Sequence, residues 1–393
     1  MPDIVVLATA DWEHPLWTNK QHVAMSLADM GFRVLYLDSL GLRPAQATGR
    51  DLKRIAKRFW RGFCPPRRVR QNIWVWSPLV IPGGSGNFVI WINKLILGFG
   101  LGLALRSLGF RMPWLWTYNP LTASVLDLDS FSLRIYHAVD AVQEQPCMPR
   151  ALIESEERRL CGEVDQVFVT SPELKRKLAP FSRHIRFDPN VADQAHFSTA
   201  MSLPKSSIPA DIASIPEPRI GFIGAVSSYK LDFSLIAAVA RAHPSWQFVF
   251  IGPTGEGEPH TNTALLEIEP NVHLLGQRPY GILPNYCAGF ACGWLPLNLN
   301  PYTQAMFPMK FFEYLSAGLP IVATSIDALG QFGHAAFLCQ PNQKEFSKAL
   351  SLALLNKGPD LALRLALAAE YTYSARTRSM VTVLTNLRGL EAI

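Results

Sequence analysis

The chain has 393 residues, too many for one ordinary core and comfortable for two domains. Its 49% apolar and 11% aromatic content excludes disorder, and its 30 prolines and 26 glycines follow no period, which excludes collagen-like and linker-like chains. The net charge of +6 is local, because nine Lys/Arg against the single acid Asp51 lie between Arg50 and Arg70 and leave the rest slightly acidic.

In chain order, Ile4–Ala8 reads as a strand; it follows Asp3 and is too short for a secretory leader. Thr18-Asn19-Lys20-Gln21 reads as a capping box, with Thr18 at the N-cap and Gln21 three residues on. Val23, Leu27 and Met30 then recur at helical spacing, and Gly31 stops the helix. Strands follow at Arg33–Leu37, Ile73–Trp76, Trp114–Thr117, Leu133–Tyr136 and Gln166–Val169, with helices between them, and Ser171-Pro172 opens another helix. The apolar stretch Phe88–Phe110 is interrupted by Asn93, Lys94 and Arg106, and its unbroken run Leu95–Leu105 falls well short of the roughly 20 residues of a spanning helix. A buried or interfacial helix is expected there.

Ser198–Pro218, with scattered Ser and Pro and no period, reads as a linker. A second alternation begins at Arg219–Gly224 and continues with a helix near Leu231–Ala242 and strands at Gln247–Gly252, Val272–Leu275 and across Phe290–Leu297. A helix over Met309–Ala317, stopped by Gly318 and Pro320, leads to a strand at Ile321–Ala323 and a helical tail from Gln343. The fold class this predicts is α/β: two Rossmann-like domains with parallel sheets, facing each other across a cleft. Expected boundaries are 1–197 for the first domain, 198–218 for the linker, 219–375 for the second, and 376–393 for a C-terminal helix packing back on the first.

The most informative segment is Asn300–Thr324. Pro308 suits the first helical position, and Lys310 and Glu313 lie three apart on one helix face. A helix start and a lysine offer a site to phosphate oxygens, and Glu313 could accept both hydroxyls of a ribose; an ordinary surface Lys–Glu pair has the same spacing. His137 and Asp140 end a predicted parallel strand, where a carboxylate or imidazole could serve as base or stabilise positive charge; a cap and a packed histidine are the plainer readings. Tyr118 and Asn119 stand at another strand end. Asp127-Leu128-Asp129 forms an isolated D-x-D at a helix-to-loop junction and reads as structural.

The order P-x-K-x-x-E-Y-L-x-A-G-x-P-x-V from Pro308 to Val322 resembles the donor-binding signature of GT-B glycosyltransferases of family 4, and within them the bacterial teichuronic-acid-type branch. Further stretches fall in the same order: Trp17–His22, Ile135–Asp140, Glu154–Arg159, Val169–Ser171, Pro189–Asp193, Gly221–Gly224 with Lys230–Asp232, Ile251–Pro253 and Leu283–Tyr286. Departures are Ala305 in place of a frequent glutamate, Asn190-Val191-Ala192-Asp193 for the usual N-G-V-D, and no glycine pair in Ala10–Pro15.

The resemblance implies a sugar transferred with retention from a nucleotide-diphosphate sugar to a glycan or lipid-linked acceptor in envelope polysaccharide synthesis. It implies donor contacts at Gly224, Lys230, Thr303, Phe307, Pro308, Lys310 and Glu313, acceptor contacts at Tyr118 and Asn119, and Asp140 and His137 at the reacting centre. No cofactor and no metal are expected, since neither the six cysteines nor the His and Glu residues show metal spacing. The cysteines, with no CxxC, fit a reduced intracellular protein, and no nucleic-acid partner is expected. In Asp51–Phe63, Leu52, Ile55, Phe59 and Phe63 alternate with Lys and Arg as in a basic amphipathic helix. Residues 50–70 are therefore expected to reach an anionic membrane surface, making the protein cytoplasmic and peripheral on the inner face. A nucleotide-sugar epimerase of the same shape and a catalytically silent assembly protein are the rival readings.

Overall fold

The structure, a computed structural model, describes residues 1–14, 17–40, 62, 64–81, 87–258 and 260–389. The chain divides into two compact units. The first comprises residues 1–170, 174–188 and the chain from Thr377 on; the second comprises 171–173 and 189–376.

In the first unit, strands β1 (Asp3–Leu7), β2 (Arg33–Leu37), β3 (Arg67–Arg70), β4 (Ile73–Trp76), β5 (Trp114–Thr117), β6 (Leu133–Ala138), β7 (Gln166–Val169) and β8 (Ile185–Phe187) form one sheet. Their order is β3-β4-β2-β1-β5-β6-β7-β8, and every pairing is parallel except β3 with β4. Ile4, Val5, Val6 and Leu7 are buried without exception, the near-continuous apolar run that a strand covered on both faces requires. The unpredicted β3 has no such run. Its sequence RRVR pairs through the backbone at the sheet edge, with the Arg68 guanidinium over the Trp74 ring at 5.8 Å, and exposed charge guards that edge.

Helix α1 (Asn19–Asp29) starts as expected: the Thr18 amide donates to Gln21 Oε1 at 3.1 Å. Helix α2 (Asn87–Leu108) is long and apolar enough to cross a membrane by length and composition, yet Leu97, Leu101 and Ala104 are buried in the unit. It lies so close to β4 that a Cβ at Gly100 would come within 2.9 Å of the Trp76 ring. Helix α3 (Arg150–Glu163) buries Ile153, Glu157 and Leu160. The basic helix expected over Asp51–Phe63 lies, except for Gly62, outside the described residues.

The second unit holds β9 (Arg219–Ile223), β10 (Gln247–Ile251), β11 (Val272–Gly276), β12 (Cys292–Leu295), β13 (Ile321–Thr324) and β14 (Phe337–Cys339). All are parallel, in the order β11-β10-β9-β12-β13-β14. Helix α4 (Phe233–Ala242) is capped by the Asp232 carboxylate, which accepts from the Leu235 amide at 2.9 Å, and helix α5 (Lys310–Ser316) follows β12. Residues 198–218 are not an open tether. They fold as short helices of the second unit, with Ile212 and Ile215 in its core and Asp211 bound to Arg278 at 2.8 Å. Prolines 204 and 209 restart the helix too often for a period to emerge in the sequence. Helix α6 (Tyr373–Leu387) runs from the second unit into the first, where Met380, Val381 and Leu384 join the core around β1 and β2.

Candidate functional site

In the second unit the chain lays down β9, β10 and β11 outward, then returns to place β12 on the other side of β9. Open parallel sheets bind ligands at the carboxyl ends of strands where the order reverses in this way. Gly224 and Lys230 follow β9, and Thr303, Phe307, Pro308, Lys310 and Glu313 follow β12. The fold thus brings the residues expected for the donor to one edge of one sheet.

Gly224 stands at φ +156° where two loops cross. A Cβ on neighbouring Gly252, at φ +154°, would meet the Gly224 carbonyl oxygen at 1.9 Å, so the backbones touch directly. The loop beyond is held by side-chain amides: Asn298 Nδ2 donates to the Ser228 and Leu231 carbonyls at 2.5 and 3.0 Å, and Asn300 Nδ2 donates to the Tyr229 carbonyl at 2.7 Å. Glu258 accepts from Ser228 Oγ at 2.7 Å and Thr261 Oγ1 at 2.8 Å; these bonds outweigh its burial and hold it below the usual carboxylate range. On this loop the Lys230 ammonium lies over the rings of Tyr229 and Tyr302 at 5.3 and 5.9 Å, a cradle that restrains a flexible cation.

Lys310 and Glu313 form an i,i+3 ion pair, with Nζ 2.5 Å from Oε2. Glu313 is only 4% exposed, and Lys310 Nζ sits 5.8 Å from the centre of the Phe197 ring. Burial, reinforced by the charge of Glu313, pushes the Tyr280 phenol far above its ordinary range, and Tyr280 stacks on His196 at 4.7 Å. A buried carboxylate held by one lysine, walled by Phe197 and Tyr280, is a specific polar anchor rather than a solvated surface pair.

Three of the expected donor contacts have another part. Thr303 is fully buried and its hydroxyl is engaged with the Asn298 carbonyl at 2.5 Å and in a capping box with Asn300, so it holds the loop. The Phe307 ring belongs to an aromatic core with Phe312 and Phe332, and its carbonyl accepts from Asn190 Nδ2 at 2.7 Å. Pro308 precedes the N-cap Met309 instead of standing at the first helical position, because its carbonyl closes a tighter turn on the Phe311 amide at 3.0 Å. None of this is visible from residue type alone.

In the first unit the order reverses between β1 and β5. Tyr118 and Asn119 follow β5, and Asp140 follows β6. Asp140 is half-buried. His137 is fully buried within β6, where Trp116 Nε1 donates to its Nδ1 at 3.4 Å and the Tyr118 ring lies 4.9 Å away. Asn119 is likewise spent on structure, its Oδ1 accepting from the Leu121 amide at 2.9 Å in a buried turn.

The residue that the sequence reading missed is Lys20. It lies in the first turn of α1, buried, with its ammonium 5.7 Å from the centre of the Tyr118 ring. Burial lowers its pKa, and the charge of Asp140 draws it partly back. A cation at a helix N-terminus opposes the macrodipole, so burial and position both disfavour it. Such doubly disfavoured charges concentrate at functional sites. Beside it, Trp12, Trp17 and Tyr36 form an aromatic wall, with centroids 5.3 Å apart for Trp12–Trp17 and 5.1 Å for Trp12–Tyr36. The signal available was a lysine between the two partners of a capping box.

Asp127 of the D-x-D accepts from the Asp129 amide and from Ser130 Oγ, and Asp129 faces Arg134 at 3.7 Å, an arrangement that ends a turn. Among the described residues no group of three or more His, Cys, Asp or Glu side chains is placed to hold a metal ion.

Residues 217–356 match the family described as glycosyl transferases group 1. The chain is 32% identical over 181 residues to a putative teichuronic acid biosynthesis glycosyltransferase, TuaH, of Bacillus subtilis (strain 168). That match covers 45% of this chain and 44% of the relative, so the chain spans under half the length of the curated relative it matches. Among solved structures, sucrose-phosphate synthase from Thermosynechococcus elongatus superposes with a TM-score of 0.68 at 15% identity, covering 99% of this chain and 100% of that one. Anabaena HepE, described in complex with UDP and glucose, also gives 0.68 at 15% identity, over 98% and 100%. A glycosyltransferase from Rickettsia africae ESF-5 gives 0.67 at 13%, over 98% of each. At these identities the likeness shows the fold, which is GT-B.

Proposed function

We propose, from the match of residues 217–356 to the glycosyl transferase group 1 family, that the chain transfers a sugar from a nucleotide-diphosphate sugar to a glycan or lipid-linked acceptor of envelope polysaccharide synthesis. The observation that carries this is the buried Glu313 carboxylate held by Lys310 at the switch point of the second sheet, with Lys230 on the neighbouring loop. A carboxylate accepts the paired hydroxyls of a ribose, and two lysines match the charge of a diphosphate. That HepE is described with UDP and with UDP-glucose supports a uridine nucleotide as the first donor to try.

The chemistry proposed is breakage of the bond between the anomeric carbon and the diphosphate oxygen, with the electron pair leaving on the diphosphate. Lys230 and Lys310 offset that growing negative charge. The acceptor hydroxyl oxygen bonds the anomeric carbon and its proton passes to the departing diphosphate, which is the retaining course. Asp140 opposes the positive charge that develops on the sugar ring, and Lys20 fixes the Asp140 carboxylate. The half-buried indoles of Trp12 and Trp17 suit the apolar face of an acceptor sugar. We read the protein as cytoplasmic.

Calorimetric titration with UDP, GDP, ADP and dTDP tests the donor half: one nucleotide should bind well above the others, and no binding by any would overturn the reading. Incubating that nucleotide's sugars with and without acceptor tests the rest. Sugar should appear on the acceptor only; conversion of donor with no acceptor present would mark an isomerising enzyme instead.

A further inference from the structure

Helix α2 buries one face and, among the described residues, leaves the other exposed. Phe88, Trp91, Leu95, Phe99 and Leu103, at spacings of three and four, are each at least 50% exposed, with Phe99 at 72%. The opposite face carries buried Leu97, Leu101 and Ala104. Asn93, on that inner side, accepts from the Ile81 amide at 2.7 Å and donates to the Ile81 carbonyl at 3.1 Å. Monomeric proteins rarely expose a continuous apolar stripe of this length without something to cover it.

The charge around the stripe says what covers it. From Leu52 to Leu126 the sequence has eleven Lys/Arg and no Asp or Glu in 75 residues, while the rest of the chain has 26 Lys/Arg against 31 Asp/Glu. Arg106 stands exposed on α2 within the stripe, Arg111 just beyond it, and Arg67, Arg68 and Arg70 on β3, whereas Lys94 lies off the stripe in a hollow it shares with Asp127, Asp129 and Glu163. We propose that the exposed face of α2 docks on an anionic lipid surface, its apolar side chains at the headgroup–acyl boundary and the surrounding cations on lipid phosphates.

The helix lies in the interface and does not cross. Its inner face is fixed on Trp76 and Ile81, and it carries the connection from β4 to β5, so withdrawing it into hydrocarbon would strip the sheet of its cover. At about 1.5 Å per residue its 22 residues give a contact line of roughly 33 Å. The docking would hold the first unit, with Asp140 and Lys20, at a surface that presents lipid-linked acceptors. The inference does not depend on the transfer reaction, because vesicle binding is read without donor or turnover.

The experiment is flotation of the full chain with vesicles of phosphatidylcholine alone and of phosphatidylcholine mixed with phosphatidylglycerol, at low and high salt. Binding should require phosphatidylglycerol, fall as salt rises, and fall about tenfold in W91S/F99S and in R106E/R111E that melt like the parent. A second reading avoids folding risk: brominated lipid should quench parent tryptophan fluorescence more than that of W91F. Protein that stays off anionic vesicles at low salt, or W91S/F99S that binds as tightly as the parent, overturns the proposal. So does a dimer of the parent that W91S/F99S dissolves, which would assign the face to a second copy.

Discussion

The two units build their candidate sites in different ways. In the second, Lys310 and Glu313 lie three residues apart on one helix and meet through a single ion pair. In the first, Lys20, Tyr118 and Asp140 come from three distant segments and meet only because β1, β5 and β6 are neighbours in the sheet. The second site is a local motif that the fold orients; the first exists only once the sheet has formed. Both occupy the switch point of their own sheet, so topology selects the place and only the means of assembly differs.

The comparison is sharpest in catalysis. If the first unit supplies transition-state stabilisation and the second supplies donor binding, Asp140→Asn should cut turnover about a hundredfold or more and leave nucleotide affinity nearly unchanged. Lys20→Met should follow in the same direction by about tenfold, through loss of the charge facing Asp140. Single-turnover kinetics beside nucleotide titration separate the two quantities. Normal turnover in Asp140→Asn would make that residue a turn former and remove the first unit from the chemistry.

The converse holds for the second unit. Glu313→Ala should weaken nucleotide binding roughly ten- to a hundredfold, and Lys310→Ala should do so while also leaving Glu313 buried without its cation. Equal affinity in parent and both variants, measured by calorimetry, would break the donor assignment.

These expectations also mark what was readable in advance. The strand–helix alternation was legible because parallel strands buried on both faces must be apolar runs, as in Ile4–Leu7 and Ile321–Thr324. The edge strands Arg67–Arg70 and Ile185–Phe187 escaped for the opposite reason: they bury little and pair through backbone, which leaves no pattern of side chains. Lys310 and Glu313 were legible because their spacing is local. Lys20 was not, since its significance depends on Tyr118 and Asp140, about a hundred residues away or more. Thr303 and Asn119 stand at the expected edge, where the Thr303 hydroxyl and the Asn119 Oδ1 take part in the local loop and turn, a use that residue type does not reveal. Thr303→Val should accordingly lower thermal stability by about 1 kcal/mol through the lost cap, with little change in nucleotide affinity, which melting curves beside titration would separate.

The smallest effect on function, and the most diagnostic of the first unit's interior, belongs to Glu157. It is buried in α3, accepts from the Tyr136 hydroxyl at 2.6 Å, and burial pushes its carboxyl up to about 7 against the opposing pull of that bond. The unfolded chain holds the same carboxyl near an ordinary 4.3. Between those values the folded state binds more protons than the unfolded one, so stability falls as pH rises from about 4.5 to about 7 and levels off above. The full difference is about 4 kcal/mol at most, on the order of ten degrees in melting temperature for a unit of this size. Glu157→Gln keeps the shape and removes the titration, so its melting temperature should approach or exceed that of the parent at pH 8 and trail it near pH 5. Because Glu157 is directed at Tyr136 and not at the donor edge, nucleotide affinity should be the same in both proteins across that range. Parallel melting curves for parent and variant through pH 5 to 8 would show that the carboxyl is ionised throughout in the folded protein, and that the interior of the first unit tolerates buried charge at Glu157 as it does at Lys20.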